Sequence, residues 1–313
     1  MKKIISPLIL LSAAIIWGFA FVFQKQASFV PPFALLAMRS IVAVAFLTVL
    51  VTVFDKVTNN GRRLFSAKKK IDLTRHELIG GVICGTFLLA ASAAQQIGIG
   101  KTDAGKTAFI TSLYVLLVPI LGLLIGKKAP INALIGVGIA VIGFYLLCIK
   151  QDFTIEPSDL IVLSCAFLFA LQIMSIDKFA PNCDGVRLSL VQFATVTVEA
   201  TVISLIFEPT LTFSAIKPAI TDILYLGIAS SGIAYTLQII GQKRSEPTVA
   251  SIIMCLESVI GAIASAILLH ERMLPREYAG SAIVFFAVIL SQLTFTKRKQ
   301  TSEIPEPEND VKS

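Results

Sequence analysis

Three ionisable side chains stand inside otherwise apolar runs: Arg39 in LLAMRSIVAV, Glu199 in TVTVEATVIS and Glu257 in IIMCLESVIG. A charge at the centre of a bilayer costs about 2.5–3.5 kcal/mol on insertion scales, so such a group usually faces a wet cavity or a partner. Glu257 lies near the middle of its run and is the strongest candidate for chemistry, either as a proton-sensitive carboxylate or as the group that holds a substrate amine. Arg39 and Glu199 lie at comparable depth in two other runs and could form an ion pair. The plain alternatives are snorkelling to the headgroups for Arg39 and a structural hydrogen bond for Glu199.

Uncharged polar residues recur at helical spacing around these charges. Ser231, Tyr235, Gln238 and Gln242 follow i, i+4, i+7 and i+11 and share one helical face. Other runs offer Trp17, Phe21 and Gln24; Ser92, Gln95 and Gln96; Thr107, Thr111 and Tyr114; and Ser164, Gln172 and Ser175. Each group alone suits helix packing. Together they describe an amphiphilic, aromatic-walled cavity for a small polar organic molecule, with Trp17, Gln95, Thr111, Tyr114, Gln172, Tyr235 and Gln238 as the substrate-binding candidates.

Enzyme signatures are missing. Residues Gly100 to Thr107, GKTDAGKT, match the phosphate-binding pattern GxxxxGK(S/T), but that motif needs a strand before it and a helix after it in a soluble sheet. Here the preceding run is long enough to be a membrane helix. His270-Glu271 begins like HExxH, yet position 274 is Leu, and no GxSxG occurs. No catalytic residue, metal site or cofactor is expected, and the chain is read as a non-enzyme.

The elements that must position these groups are helices in lipid. The chain has 313 residues, 55% of them hydrophobic and 15% charged, with a mean hydropathy of +0.82. That is too apolar for a soluble domain of ordinary composition. About 20 consecutive apolar residues cross the hydrocarbon core as a helix. Ten runs approach that length, near 7–24, 33–54, 78–99, 107–126, 131–149, 158–176, 187–207, 219–240, 248–269 and 277–296. Met1-Lys2-Lys3 before the first run resembles a secretory signal, but no convincing cleavage site follows.

Lysine and arginine concentrate in alternate loops, above all at 56–75, at Lys127 and Lys128, at Lys243 and Arg244 and after 296. Cytoplasmic loops keep that excess, so both termini are expected to be cytoplasmic. The same bias accounts for the net charge of +7 and leaves no need for a nucleic-acid partner. Cys84, Cys148, Cys165 and Cys255 fall within spans, and Cys183 stands in a loop. No disulfide framework or metal spacing follows.

The chain also reads as a duplication. A shift of 143 lays Gln95 on Gln238, Gly98 on Gly241, Lys101 on Arg244 and Leu113 on Leu256; a shift of 152 lays Trp17 on Phe169. Five helices that enter on one side end on the other, so the second copy must run upside down. The expected fold is therefore an all-α membrane protein of ten transmembrane helices in two inverted five-helix repeats. Residues 1–149 would form the first repeat, 150–157 a linker, 158–296 the second repeat and 297–313 a disordered cytoplasmic tail. Gly81/Gly85, Gly122/Gly126 and Gly136/Ala140/Gly143 have the small-residue spacing of close helix contacts. Packing within the chain is their first use, and a homodimer seam the second.

With these residues in view, the chain resembles the drug/metabolite transporter superfamily, in particular its EamA-type ten-helix members. The likeness rests on Ala13-Ala14-Ile15-Ile16-Trp17-Gly18, on Arg39-Ser40, on Thr107 to Leu113 with Pro119, and on Leu256-Glu257-Ser258-Val259 through His270-Glu271-Arg272 and Gly280. Ser258 replaces the family's usual proline, and Tyr114 stands where the first copy often has glutamate. The resemblance implies an inner-membrane secondary transporter that exports amino acids or related metabolites by alternating access, with spans 1, 3, 4, 6, 8 and 9 around the cavity. Proton coupling through Glu257 and uncoupled facilitation both remain open. Outside the resemblance, an intramembrane enzyme or a non-transporting scaffold is the rival class. Expected partners are a small-molecule substrate and membrane lipids.

Overall fold

A bilayer offers no water to backbone amides and carbonyls, so an apolar chain must satisfy them within each segment, and helices do so. The computed structural model describes residues 2–57, 73–127, 129, 131–148, 157–208, 213–270 and 275–293, and they are helical apart from short connections. The α-helices are α1 Lys2–Gln26, α2 Pro32–Val57, α3 Arg75–Lys101, α4 Ala104–Ser112, α5 Tyr114–Leu124, α6 Ile131–Cys148 and α7 Pro157–Phe179. After them come α8 Gly185–Phe207, the short α9 Phe213–Ile216, α10 Ile220–Leu224, α11 Tyr235–Gln242, α12 Pro247–Met254, α13 Leu256–Leu268 and α14 Pro275–Leu293. A ten-residue π-helix, Tyr225–Ala234, joins α10 to α11.

Among the described residues, eight helical stretches are long and apolar enough to cross a membrane. The fifth and tenth expected spans correspond to α6 and α14, whose apolar stretches, Leu134–Gly143 and Tyr278–Ala287, are shorter. Large apolar side chains cover the outside: Leu124 and Phe207 are each 77% exposed. A soluble protein would not present such a surface to water, and the chain is a multi-pass membrane protein. Most of the expected basic loop at 62–75, the linker apart from Pro157, the tail from 297, and Glu271-Arg272 lie outside the described residues.

Polar side chains fix the helix ends. Thr74 and Glu77 form a capping box at the start of α3, with Thr74 N–H donating to Glu77 Oε2 at 2.7 Å. Glu77 Oε1 also accepts from Asp184 N–H at 3.3 Å, which ties this end to the start of α8. The carboxylate of Glu208, just past α8, accepts from Phe33 and Ala34 N–H at 2.8 and 2.7 Å, placing negative charge at the start of α2.

Close helix contacts use glycine where the backbone demands it. A Cβ on Gly85 of α3 would stand 2.7 Å from the Gln192 carbonyl of α8, and one on Gly143 of α6 would stand 2.8 Å from the Gly280 carbonyl of α14. These seams lie within the chain. The Gly122/Gly126 spacing is different: Gly126 has φ +76°, and Lys127 N–H reaches the Gly122 carbonyl at 2.9 Å. That is a helix terminator, not a packing seam.

Two spans are interrupted at a single residue, Leu113 between α4 and α5 and Cys255 between α12 and α13. Serine back-bonding accompanies both breaks, from Ser112 to the Ala108 carbonyl at 3.0 Å and from Ser258 to the Cys255 carbonyl at 2.7 Å. Such bonds bend helices.

Candidate central cavity

The interrupted spans and the π-helix border one buried chamber. Trp17, Phe21 and Gln24 of α1 line it with Arg39 of α2, Gln95 of α3, Thr111 of α4 and Tyr114 of α5. The rest of the wall is Phe169, Gln172 and Ile173 of α7, Ser230 of the π-helix, Tyr235 and Gln238 of α11, Met254 of α12 and Glu257 of α13. The chamber leaves about 30 Å³ to the centres of water-sized molecules, so it is contracted around little more than a water or two.

Hydrogen bonds hold its side chains in place. Tyr114 stands beside the Glu257 carboxyl group, and Gln95 Nε2 donates to Thr111 Oγ1 at 3.1 Å. Gln172 and Gln238 exchange long amide bonds of 3.5 and 3.3 Å between α7 and α11. Trp17 Nε1 donates to the Ser230 carbonyl at 3.3 Å, and its ring meets Tyr235 edge-on at 4.7 Å between centroids. The Tyr235 hydroxyl lies near Ser92.

All seven substrate-binding candidates read from the sequence reach this chamber, and Arg39 and Glu257 reach it too. Glu199 is placed elsewhere. Its Oε1 accepts from the Thr86 hydroxyl at 2.7 Å on the contact between α3 and α8, and Arg39 points into the cavity without an ion pair to it. The expected face Ser231–Tyr235–Gln238–Gln242 is also altered: Ser231 is buried away from the chamber, Ser230 lines it, and Gln242 sits one turn below. In the π-helix, hydrogen bonds run i→i+5, which carries the wall position one residue back from where a 3.6-residue period puts it. Residues Gly100 to Thr107 form the end of α3 and the start of α4, with no strand before them, so the context a phosphate loop needs is not there.

Sequence reasoning missed Phe169, Ile173 and Met254. The internal repeat carried the signal, because shifts of 152 and 143 lay Trp17, Phe21 and Thr111 on these three positions.

A second, wider space opens on the face that holds Lys127. This vestibule, about 460 Å³, is lined by Pro119, Gly122, Lys127, Asp177, Gln242 to Pro247 and Thr248 among others. Lys127 and Asp177 pair at its rim. Gln242 separates it from the chamber: its Nε2 donates to the carbonyl of Ile173, a chamber residue, at 3.3 Å. The opposite end is closed more firmly. Phe21, Ile99, Ala104 and Ala108 pack together there, and Lys25 Nζ donates to the Ile99 and Thr102 carbonyls at 2.9 and 2.8 Å.

Comparison with known proteins agrees with this architecture. The model of the EamA-like transporter family matches the chain twice, over residues 4–149 and 157–293. A protein from Archaeoglobus fulgidus, named an uncharacterized transporter, is 27% identical over 297 residues, which cover 93% of this chain and 87% of that one. A solved structure, described only as a crystal structure of a protein, superposes with a TM-score of 0.71 at 17% identity. It covers 95% of this chain and 99% of its own, a likeness of fold alone.

Proposed function

The chain belongs to the EamA-like transporter family, within the drug/metabolite transporter superfamily, and we propose that it is a secondary carrier that exports amino acids or related small metabolites. The observation that carries this reading is one buried chamber walled by both matched stretches, with Glu257 of one beside Tyr114 of the other. Secondary carriers built from inverted repeats hold their substrate near the midplane, between the copies.

In this reading the two matched stretches are inverted five-helix copies, ten spans in all. Contacts at the two faces support it. Lys25 at the end of α1 bonds the end of α3 on one face, whereas Lys127 beyond α5 meets the end of α7 on the other. So α1 and α7, the first helix of each copy, finish on opposite faces. The excess of lysine and arginine on the Lys127 face makes that face cytoplasmic, in the inner membrane, with the vestibule as the entry for solute. Rocking of one copy against the other would open the chamber to each face in turn.

Glu257 is the group that senses a proton or holds a substrate amine. In proteoliposomes loaded with a panel of labelled amino acids, Glu257→Gln is expected to abolish efflux or to uncouple it from an imposed proton gradient. The variant should keep its melting temperature within a few degrees. Unchanged flux and unchanged pH dependence would remove Glu257 from the mechanism, and wild-type flux that ignores the gradient would make the protein a facilitator.

A further inference from the structure

Arg39 is the eighth residue of α2, roughly 10 Å from that helix's start at 1.5 Å per residue. It is only 4% exposed, it lines the chamber, and its Nε has no hydrogen-bond partner. Among the described residues no carboxylate pairs with it. The acid at comparable depth, Glu199, is bonded to Thr86 on another seam. Glu257, the one acid in the chamber wall, stands beside Tyr114 and makes no ion pair with Arg39. Tyr235 stands within electrostatic reach of both Arg39 and Glu257. The chamber therefore holds a guanidinium and a carboxyl group that do not close on each other.

We propose that Arg39 is the anion-binding end of the chamber, so that the solute it carries has a carboxylate seated on the guanidinium. The solute's donor end, an ammonium or a hydroxyl, is then turned toward Glu257. This rests on the carrier reading above and adds a charge requirement to it. A guanidinium keeps its charge in surroundings where a lysine ammonium loses it, and its planar fork matches a carboxylate through two parallel hydrogen bonds. An isolated buried charge is heavily penalised, and a bound carboxylate removes the penalty when the chamber closes. An analogue without the carboxylate leaves it in place. Sites built around a hydrogen-bonding group of the substrate reject analogues lacking that group by roughly 10⁴–10⁵ in the strongest cases, and a loss of at least about 100-fold is expected here.

The test compares three probe sets on the full-length protein: the common amino acids, their carboxamides, and the amines left by decarboxylation. Efflux from proteoliposomes and thermal stabilisation in detergent are both read. Each acid that is carried should lose at least about 100-fold in apparent affinity as its amide or its amine. Arg39→Lys should fall between wild type and Arg39→Gln, and Arg39→Gln should treat acid and amide alike. If that variant does not fold, the wild-type comparison of acid with amide decides alone. Amides or amines carried as well as the acids would overturn the assignment while leaving the carrier reading intact. No movement or stabilisation by any probe would remove the carrier reading and the assignment with it.

Discussion

Replacing Gln242 with leucine should shut the passage between vestibule and chamber, and the sign comes from weighing two opposed terms. The amide contributes one hydrogen bond to the Ile173 carbonyl, long at 3.3 Å and worth about 0.5–1 kcal/mol at the weak end of the usual range. The same side chain buries Oε1 with no partner, at a cost of about 1–3 kcal/mol. When the passage opens, vestibule water can satisfy both ends of the amide. The closed arrangement is therefore held below its full stability by the glutamine. Leucine fills a similar volume, removes the unpaired oxygen and adds apolar burial. The Ile173 carbonyl keeps its own helical partner four residues on. The net change favours closure by about 1 kcal/mol, a factor of about five. Cys165, which touches Thr111 in the chamber wall at 3.7 Å, reports on access. With the other four cysteines replaced by alanine, maleimide labelling of Cys165 should slow by about fivefold in Gln242→Leu. It should quicken in Gln242→Ala, which leaves a gap for water. Faster labelling in both variants would show that the hydrogen bond holds the passage, and the reasoning would be wrong.

Two further outcomes follow from local geometry. Gly143→Ala puts a Cβ 2.8 Å from the Gly280 carbonyl and 2.9 Å from the Val284 amide, so the melting temperature should fall as expected for about 1–3 kcal/mol of overpacking. Gly138→Ala on the same helix meets nothing within 4 Å and should hold or raise it; equal effects would deny the α6–α14 seam. At the Lys127 face, burial pushes the Cys183 thiol above its ordinary range, Glu77 adds to this, Lys243 opposes it and Asp184 again adds. Reactivity follows the thiolate. Alkylation of Cys183 as the sole cysteine should still be climbing above about pH 8.5, where a free thiol reaches half-ionisation, and should climb later still in Lys243→Met. A plateau at or below that pH would refute the stated surroundings.

What could be read from the sequence followed the 3.6-residue period and the repeat, and it failed where neither applied. Gln95, Thr111, Tyr114, Tyr235 and Gln238 were legible because polar side chains in an apolar span have few reasons to exist beyond a partner or a cavity. Phe169, Ile173 and Met254 were illegible as single residues, since an apolar wall residue looks like any other core residue. Only their repeat counterparts distinguish them. Ser230 was lost to the π-helix, which no composition signal marks: YLGIASSGIA reads as an ordinary apolar helix. The breaks at Leu113 and Cys255 were hidden for the same reason, because neither residue is a helix breaker; only the neighbouring serines, free to bond their own carbonyls, hinted at them. Glu199 shows the converse. Depth alone suggested a charge partner for Arg39, but a half-buried carboxylate on a helix seam is also served by a neutral hydroxyl such as Thr86.

The form of the two breaks bears on how charge is recognised. In carriers whose spans are unwound at the midplane, free amides at half-helix starts can hold an anion, and free carbonyls a cation. Here the interruptions are tight. Leu113 has φ −62° and ψ −9°, Cys255 has φ −62° and ψ −11°, and both remain in the helical region. The amides of Leu113, Leu116, Cys255 and Ser258 are all spent on carbonyls three or four residues back. Little backbone polarity is left at either break to meet a charged solute. Recognition of charge then falls to side chains, and the wall offers two ionisable groups of opposite sign, Arg39 and Glu257. The π-helix is fitted to one of them: a Cβ on Gly227 would stand 2.8 Å from the Arg39 carbonyl, so glycine lets this irregular segment lie against α2 where it carries the arginine. Irregular backbone in lipid is tolerated where it borders protein or a cavity. In this chain it lies against α1 and α2 beside the chamber and takes no charge itself.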